Sequence, residues 1–465
     1  MGINPDVRKT IEDFKGLLHV EKNFDIVYRT LKICNRESAI FFVDGFAKDE
    51  IIEKILEFFY SVDNEVFMQD AHTFSKNCVP YCELSLEYDA DTVVTSVLSG
   101  MMALFVDGFD RCILVDTRTY PQRSTSEPEK DKVFRGSKDG FVETLILNTA
   151  LIRRRIRDRN LHVEHMSVGR ASKTDIALCY IDDRVDHKLV DQVREKLKNT
   201  DTDALTMNQQ SLAEILLRRK WYNPFPKFKY SERPDTTAAQ ILEGDLVIMV
   251  DNSPSAMILP INLFDLMEEA NDFYFPPITG SYLRLTRFSV SVATLLLTPL
   301  WLLLLQNPDW VPSWLQFILV EESSVPVFWQ LMILEIAIDG LKLAALNTPN
   351  MLTTSLSMVG AVILGDFAVK SGWFSGESLL YMAFVTIANY SLPSFELGYA
   401  LKFCRMVMLV ATVLLNAWGF FGSIVLLFIA LACNKTISGD SYLYPLLPFN
   451  YTDFKKKVLR IKREN

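Results

Sequence analysis

Apolar runs and amphipathic stretches alternate from residue 1 to about residue 274. The runs are rich in β-branched residues, and the stretches between them repeat apolar residues three and four positions apart, which is typical of strands and helices packed in α/β layers. We predict strands at Ala39–Val43, Ala103–Val106, Cys112–Asp116, Asp175–Ile181 and Asp245–Val250. We predict helices at Asp49–Tyr60, Gly140–Arg157, His187–Lys198, Ser211–Lys220 and Thr236–Leu242.

A polar segment interrupts this pattern at residues 121–138 (PQRSTSEPEKDKVFRGSK). Its proline and its many charges favour a linker over a packed element. The alternation therefore predicts two soluble α/β lobes, an N-terminal one over residues 1–120 and a second one over residues 139–274.

The pattern changes at residue 284, where long apolar stretches begin. Phe288–Leu305 is long enough to cross a hydrocarbon layer of ~30 Å as a helix. Four more apolar stretches follow, at Val325–Leu346, Leu352–Val369, Leu379–Leu392 and about Val407–Cys433. We therefore expect an α-helical polytopic membrane domain at residues 284–434, with four or five membrane segments, and a basic cytoplasmic tail at 435–465.

Basic residues flank this domain on both sides. Arg284 and Arg287 precede the first stretch and the tail contains KKKVLRIKR, so the positive-inside rule places both ends in the cytoplasm. An even number of crossings is then required, whereas five stretches are present. Either the short Leu379–Leu392 is re-entrant, or Val407–Cys433, with Asn416 near its middle, is a hairpin.

Charge separates the two halves as well. The 465 residues have a net charge of −9, which divides into −11 for residues 1–283 (35 basic, 46 acidic) and +2 for residues 284–465 (13 basic, 11 acidic). An acidic soluble half argues against a nucleic-acid partner. The first 25 residues are charged throughout and lack the apolar core of a signal peptide, so we expect the lobes in the cytosol.

Chemistry-bearing motifs are absent from the sequence. It contains no phosphate-binding loop, no H-E-x-x-H and no G-x-S-x-G, so we expect no enzyme activity, no cofactor and no metal site. His162 and His165 lie close together without a third ligand, which favours a solvated face.

Ionisable residues inside the apolar stretches are the most informative feature, because each is costly in hydrocarbon unless it faces protein or water. Glu335, Asp339 and Lys342 follow one another at i, i+4 and i+7 on one helical face. Asp366 and Asn389 add polarity to later stretches. We predict a cation pathway lined by these acidic and amide side chains; the alternative is an Asp339–Lys342 pair that only orients its helix.

Longer motifs carry a family resemblance. They are Tyr120–Arg123 (YPQR), Glu127-Pro128, Arg135–Glu143 (RGSKDGFVE), Asn148–Ile156 (NTALIRRRI), Tyr230–Asp235 (YSERPD) and Ser394–Ala400 (SFELGYA). With them the chain resembles the GerA family of spore germination proteins, of the A-subunit type, over about residues 42–448. By resemblance, candidate coupling and motif residues are Arg123, Glu127, Arg135, Gly136, Gly140, Phe141, Glu143, Asn148, Arg153, Pro393, Glu396 and Gly398.

The resemblance implies an integral protein of the spore inner membrane that acts in germination. It implies a homo-oligomeric, ion-conducting assembly in contact with membrane lipid and with other germination membrane proteins. It also implies that nutrient is bound by a separate subunit. The alternative is a receptor relay subunit that has no pore of its own and signals to partner membrane proteins.

Overall fold

The computed structural model describes residues 2–33, 35–61, 70–118, 136–217, 222–319, 324–347 and 368–460. The chain divides into two compact units. The α/β unit consists of Met1–Arg219 and Phe228–Pro260, and the helical unit consists of Lys220–Lys227 and Ile261–Asn465.

The first lobe of the α/β unit is a five-stranded antiparallel sheet with a helical layer on each face. Its elements are α1 (Val7–Leu17), β1 (Ile26–Ile33), β2 (Arg36–Val43), α2 (Asp49–Ser61), α3 (Ala71–Cys78), β3 (Leu84–Glu87), α4 (Ala90–Leu98), β4 (Met102–Val106) and β5 (Cys112–Val115). The strand order is β1-β2-β4-β5-β3. Helices α1 and α4 bury one face of the sheet, and α2 and α3 bury the other. Strand β4 (MALFV) is consequently buried at every position.

The second lobe repeats this topology. Its elements are α5 (Leu145–Arg155), β6 (Leu161–Val168), β7 (Thr174–Ile181), α6 (His187–Lys198), α7 (Gln209–Leu216), β8 (Lys229–Ser231), α8 (Pro234–Glu243), β9 (Leu246–Val250) and β10 (Ala256–Leu259). The strand order β6-β7-β9-β10-β8 is the same permutation as in the first lobe, and the helices occur at the same places between the strands. The two lobes are thus two copies of one α/β arrangement.

The helical unit follows the second lobe. A 3₁₀ turn at Asp265–Met267 leads into α9 (Ala270–Tyr274) and α10 (Pro277–Gln306), and two more 3₁₀ turns, Pro308–Trp310 and Ser313–Ile318, lead to α11 (Val327–Asn347). The later helices are α12 (Ala368–Lys370), α13 (Gly376–Tyr390), α14 (Phe395–Ala432) and α15 (Tyr451–Val458). Within the described ranges, α10 and α14 are the two helices long and apolar enough to cross a membrane.

Helix α14 reverses direction at Asn416. This residue has φ 52° and ψ −131°, which no α-helix contains. A Cβ on Gly419 would collide with the carbonyl oxygen of Ala411, eight residues earlier. Leu397 and Leu431 pack in one apolar cluster, although a straight helix would separate them by about 50 Å. Helix α14 is therefore a helical hairpin, which is one of the two arrangements that the sequence left open.

The tip of this hairpin lies beside the end of α10. Asn307 donates a hydrogen bond to Asn416 Oδ1 (2.6 Å), and Asn416 donates one to Asn307 Oδ1 (3.1 Å). Near the start of α10, Phe288 packs in the same cluster as Leu397. The first arm of α14, residues 395–415, therefore runs parallel to α10.

The predicted fold class, a two-lobed α/β region followed by a helical region, is confirmed. All ten predicted elements of the lobes are present, and α6 has the predicted bounds. Helix α5 begins at Leu145, five residues later than predicted, because residues 140–144 are not helical and Thr144, with extended dihedral angles, is the N-cap. The α/β unit ends at Pro260, and residues 261–274 lie in the helical unit. The predicted stretch Leu352–Val369 and the predicted linker lie largely outside the described residues.

Candidate functional site

Four ionisable side chains form a buried network in the helical unit. Arg405 Nε donates to Glu335 Oε1 at 2.7 Å. Lys402 Nζ donates to the Glu335 backbone oxygen at 3.0 Å and to Asp339 Oδ2, and it lies 3.3 Å from Glu335 Oε2. The side chains of Glu335, Lys402 and Arg405 are at most 6% exposed, and that of Asp339 is 32% exposed.

Helical spacing explains how these groups meet. Glu335 and Asp339 are one turn apart on α11, and Lys402 and Arg405 are one turn apart on α14. Glu335 contacts both Lys402 and Arg405, whereas Asp339, one turn later on α11, contacts Lys402, the earlier of the two bases on α14. Helix α11 therefore runs antiparallel to the first arm of α14. Two acids and two bases give zero net charge, and ionised groups are found in an apolar interior when they are paired and hydrogen-bonded, as these are. Arg405 also donates to the Thr294 backbone oxygen (2.9 Å) and so ties the network to α10.

The sequence alternative of an Asp339–Lys342 pair is wrong. Asp339 pairs with Lys402 instead, and the Lys342 ammonium lies over the rings of Tyr390 (4.8 Å) and Tyr399 (5.7 Å). Lys402 on the facing helix α14 takes the place at the Asp339 carboxylate that the alternative gave to Lys342.

Asn389 lies against the same face of α14. Its Oδ1 atom would be 2.6 Å from a Cβ on Gly398, which is one turn before Lys402. That oxygen and Asp339 Oδ1 are both buried without a hydrogen-bond partner among the described residues. The structure thus joins Glu335 and Asp339 through Lys402 and places Asn389 against Gly398 on the same helix as Lys402, while Asp366 lies outside the described residues.

A second buried ion pair joins the two lobes of the α/β unit. Arg153 on α5 donates to Asp25 Oδ2 (2.6 Å) and Oδ1 (3.0 Å), and both side chains are at most 1% exposed. Asn23 Oδ1 accepts from Arg153 (3.3 Å) and from the backbone N–H of Val163 on β6 (2.7 Å). The Phe24 N–H donates to the Val163 oxygen (3.2 Å). The segment that precedes β1 is therefore hydrogen-bonded to the edge of the second sheet.

Other motif residues shape the approach to α5. The side chain of Asn148 is buried and closes a ring with Val142, donating to its carbonyl oxygen (2.6 Å) and accepting from its N–H (2.8 Å). Phe141 is buried in the core of the second lobe. Gly136 has φ 108°, which favours glycine. Glu143 accepts the Asn252 N–H through its backbone oxygen (2.8 Å).

The remaining motif residues differ in their burial. Gly140 is buried, Pro393 and Glu396 are partly buried at the start of α14, and Arg123, Glu127 and Arg135 lie outside the described residues.

The predicted solvated face at His162 is wrong. His162 on β6 is fully buried, with His19 of the first lobe edge-on at 5.0 Å between ring centroids and Tyr180 at 5.4 Å. Burial lowers the pKa of His162 to about 4, against a raising contribution from Asp182 at 3.3 Å. His165 is the exposed member of the pair and contacts Asp175 (3.0 Å).

A third charged cluster holds the start of α10. Asp272 is fully buried, and it accepts hydrogen bonds from Arg287 (2.9 and 3.0 Å) and Arg284 (3.3 Å). Glu268 and Glu269 complete the cluster with one arginine each. The sequence predicts only that these arginines orient the chain in the membrane. They also bind carboxylates of the preceding segment.

Sequence reasoning missed Asp25, Lys402 and Arg405. Lys402 and Arg405 lie just before the apolar stretch predicted to begin at about Val407, whereas the helix begins at Phe395. Two basic residues three positions apart next to an apolar stretch were the available signal. Asp25 carries no local signal because its partner is 128 residues away.

Over residues 13–465 the chain matches the family model described as Bacillus/Clostridium GerA spore germination protein, and it belongs to this family.

Individual relatives are named for sporulation and for spore germination. The chain is 35% identical to Stage V sporulation protein AF of Bacillus subtilis (strain 168) over 444 residues, which are 95% of this chain and 90% of the relative. It is 26% identical to Spore germination protein KA of the same organism, covering 99% of this chain and 85% of the relative. The crystal structure of the N-terminal domain of the A subunit of the Bacillus megaterium spore germinant receptor GerK3 aligns with 27% identity and a TM-score of 0.44, over 56% of this chain and 96% of that chain.

Proposed function

We propose that this chain is a spore membrane protein that acts in germination as a subunit of a homo-oligomeric assembly conducting monovalent cations. The family and its relatives are spore germination proteins, which supports the germination role. Helices α10 and α14 support a place in a membrane, with lipid around them.

One observation carries the conducting part of the proposal. In a unit whose long helices are apolar, Asp339 presents a buried carboxylate oxygen, Oδ1, that has no hydrogen-bond partner among the described residues. Such an oxygen is expensive in hydrocarbon unless a cation, a donor or water reaches it. A monovalent cation that passes between α11 and α14 would find this ligand on its way.

The α/β unit is the proposed cytosolic coupling head. The buried Arg153–Asp25 pair and the hydrogen bonds at Val163 make its two lobes move together. The basic run on α15 and the arginines at the start of α10 support cytoplasmic ends, with the inner membrane of the spore as the site. The proposed partners are further copies of this chain and other germination membrane proteins.

A relay subunit without a pore is the second candidate. It is favoured by the pairing of both carboxylates, because Glu335 is bound by Arg405 and Asp339 by Lys402. A network in which each charge has a counter-charge can fix the orientation of the helices and needs no passing ion. In this case the α/β unit would pass a signal to partner membrane proteins.

Potassium flux from liposomes that contain the purified full-length chain distinguishes the two candidates. We compare the parent with Asp339→Asn, because Glu335→Gln would leave the buried Arg405 without a counter-charge and weaken the fold. Glu377→Gln on α13 is the matched control, since it removes one acid from the same unit outside the network. The mass of each assembly is checked first.

A conducting subunit gives flux from the parent and from Glu377→Gln, and less flux from Asp339→Asn. Equal flux from the parent and both variants would show that Asp339 does not line the pathway. No flux from a correctly assembled parent would favour the relay subunit, or a closed pore that needs a partner protein, and the next step is to add that partner.

A further inference from the structure

Lys402 has the surroundings of a bound cation. Its ammonium nitrogen contacts three oxygens, namely the Glu335 backbone oxygen (3.0 Å), Glu335 Oε2 (3.3 Å) and Asp339 Oδ2, and the side chain is 6% exposed. An ammonium group has nearly the size of K⁺ and, like K⁺, is held by carbonyl and carboxylate oxygens in place of water. The position of Nζ is therefore one that a dehydrated monovalent cation would fit.

Each carboxylate of the network has its own counter-charge, and the Lys402 ammonium is the one that a cation could replace. Arg405 binds Glu335 Oε1 through its guanidinium group (2.7 Å) and neutralises that carboxylate. The charge of Asp339 is neutralised by Lys402. Without the ammonium group, the four-residue network would have a net charge of −1, located at Asp339.

Acceptor oxygens are in excess around this position. Asp339 Oδ1 is buried and accepts no hydrogen bond from any described residue. The same holds for Asn389 Oδ1, which lies against Gly398 one helical turn before Lys402. Carboxylate and amide oxygens are ligands of hard cations, and buried acceptors are normally hydrogen-bonded.

We propose that Glu335, Asp339 and the neighbouring oxygens form a monovalent-cation site, and that Lys402 fills it as a tethered cation. The inference rests on the proposed conducting function: a passing ion displaces the Lys402 ammonium from these oxygens, so the parent conducts. Withdrawal of the lysine side chain would open the site to an ion.

The test is a K⁺-dependent thermal midpoint of the full-length protein in detergent micelles. Lys402→Ala removes the ammonium group and leaves space for an ion. Lys402→Arg keeps a tethered cation, and Lys342→Ala removes a nearby lysine that contacts aromatic rings instead of the network. Each variant is heated in KCl and in choline chloride of equal ionic strength, because choline is too large for the site.

K⁺ should raise the midpoint of Lys402→Ala by roughly 3–6 °C at about ten times its dissociation constant, and saturably. The parent, Lys402→Arg and Lys342→Ala should show no difference between the two salts. If Lys402→Ala folds only in K⁺, the proposal is equally supported. Lys402→Ser, whose hydroxyl can donate to Asp339, is measured in parallel in case Lys402→Ala does not fold in either salt.

Equal midpoints in the two salts for the folded alanine or serine variant would overturn the proposal. The measurement is independent of ion flux. K⁺ binding by Lys402→Ala without any flux would support the site while contradicting a pore. Flux from the parent without K⁺ stabilisation of either variant would contradict the site and leave the pore.

Discussion

Replacement of Asp25 by asparagine removes the charge that faces Arg153 between the two lobes. The pair is at most 1% exposed on both sides, with two hydrogen bonds of 2.6 and 3.0 Å. Breaking a buried pair from one side costs about 3–5 kcal/mol, because the remaining charge loses its partner without regaining water. Asparagine keeps one acceptor oxygen, so we expect a cost of about 3 kcal/mol, at the lower end of this range.

Hydrogen exchange of the full-length protein reports this cost at the right place. The amide of Val163 donates to Asn23 and the amide of Phe24 donates to Val163, so both N–H groups exchange only when the lobes separate locally. A loss of about 3 kcal/mol corresponds to roughly a hundredfold faster exchange at these amides.

Glu37→Gln is the matched control for this change. It breaks the Arg8–Glu37 pair of the first lobe, whose side chains are 77% and 44% exposed, and exposed pairs contribute about 0–1 kcal/mol. We therefore expect less than about a fivefold change at any amide. If Asp25→Asn changes exchange at Phe24 and Val163 no more than Glu37→Gln does, the buried pair does not hold the lobes together.

Two further predictions concern His162 and the α14 hairpin. The pKa of His162 is about 4 in the folded protein and ordinarily 6.5, so between these pH values only the unfolded chain binds the proton. The contribution of His162 to the free energy of unfolding is therefore constant above about pH 7 and falls by up to about 3 kcal/mol from pH 6.5 to pH 4. His162→Gln should remove this part of the pH dependence when unfolding in urea is monitored by hydrogen exchange. An identical pH profile for the parent and the variant would contradict the prediction. In the hairpin, Gly419→Ala should lower the thermal midpoint, since its Cβ meets the Ala411 carbonyl, at a cost of about 1–3 kcal/mol. Gly422→Ala has open space and should raise the midpoint slightly through helix propensity; equal effects of the two substitutions would contradict the hairpin.

The central strands of both lobes were predictable from the sequence because burial on both faces leaves them almost wholly apolar. Strand β9 (LVIMV) is buried at every position, and β7 at its last six. Helix α6 was also predictable, since Asp186 caps its first turn and Lys196 and Lys198 end it.

Edge strands were not predictable in the same way. Strand β1 has Arg29, Thr30 and Lys32 exposed, and among the described strands β1 and β6 each lie at the edge of their sheet. A strand with one free edge and an exposed face has no continuous apolar run, so its pairing decides its structure more than its composition does. Because these edge strands were not predicted, the sequence did not reveal that the second lobe repeats the topology of the first.

The candidate site was half predictable. The spacing of Glu335 and Asp339 placed two acids on one helical face, which is local information. Their partners Lys402 and Arg405 are 63 and 70 residues further along the chain, so only the packing of α11 against α14 brings them together. Spacing within a helix therefore identified the acids but could not show that both are neutralised.

Cation conduction is the central claim, and the reversal potential of the purified full-length chain in a planar bilayer tests it most directly. With a tenfold KCl gradient across the bilayer and no other permeant ion, a cation pathway past Asp339 gives a current that reverses close to the equilibrium potential of K⁺. A current that reverses close to the equilibrium potential of Cl⁻, or no current from a protein shown to be assembled and inserted, would contradict the account.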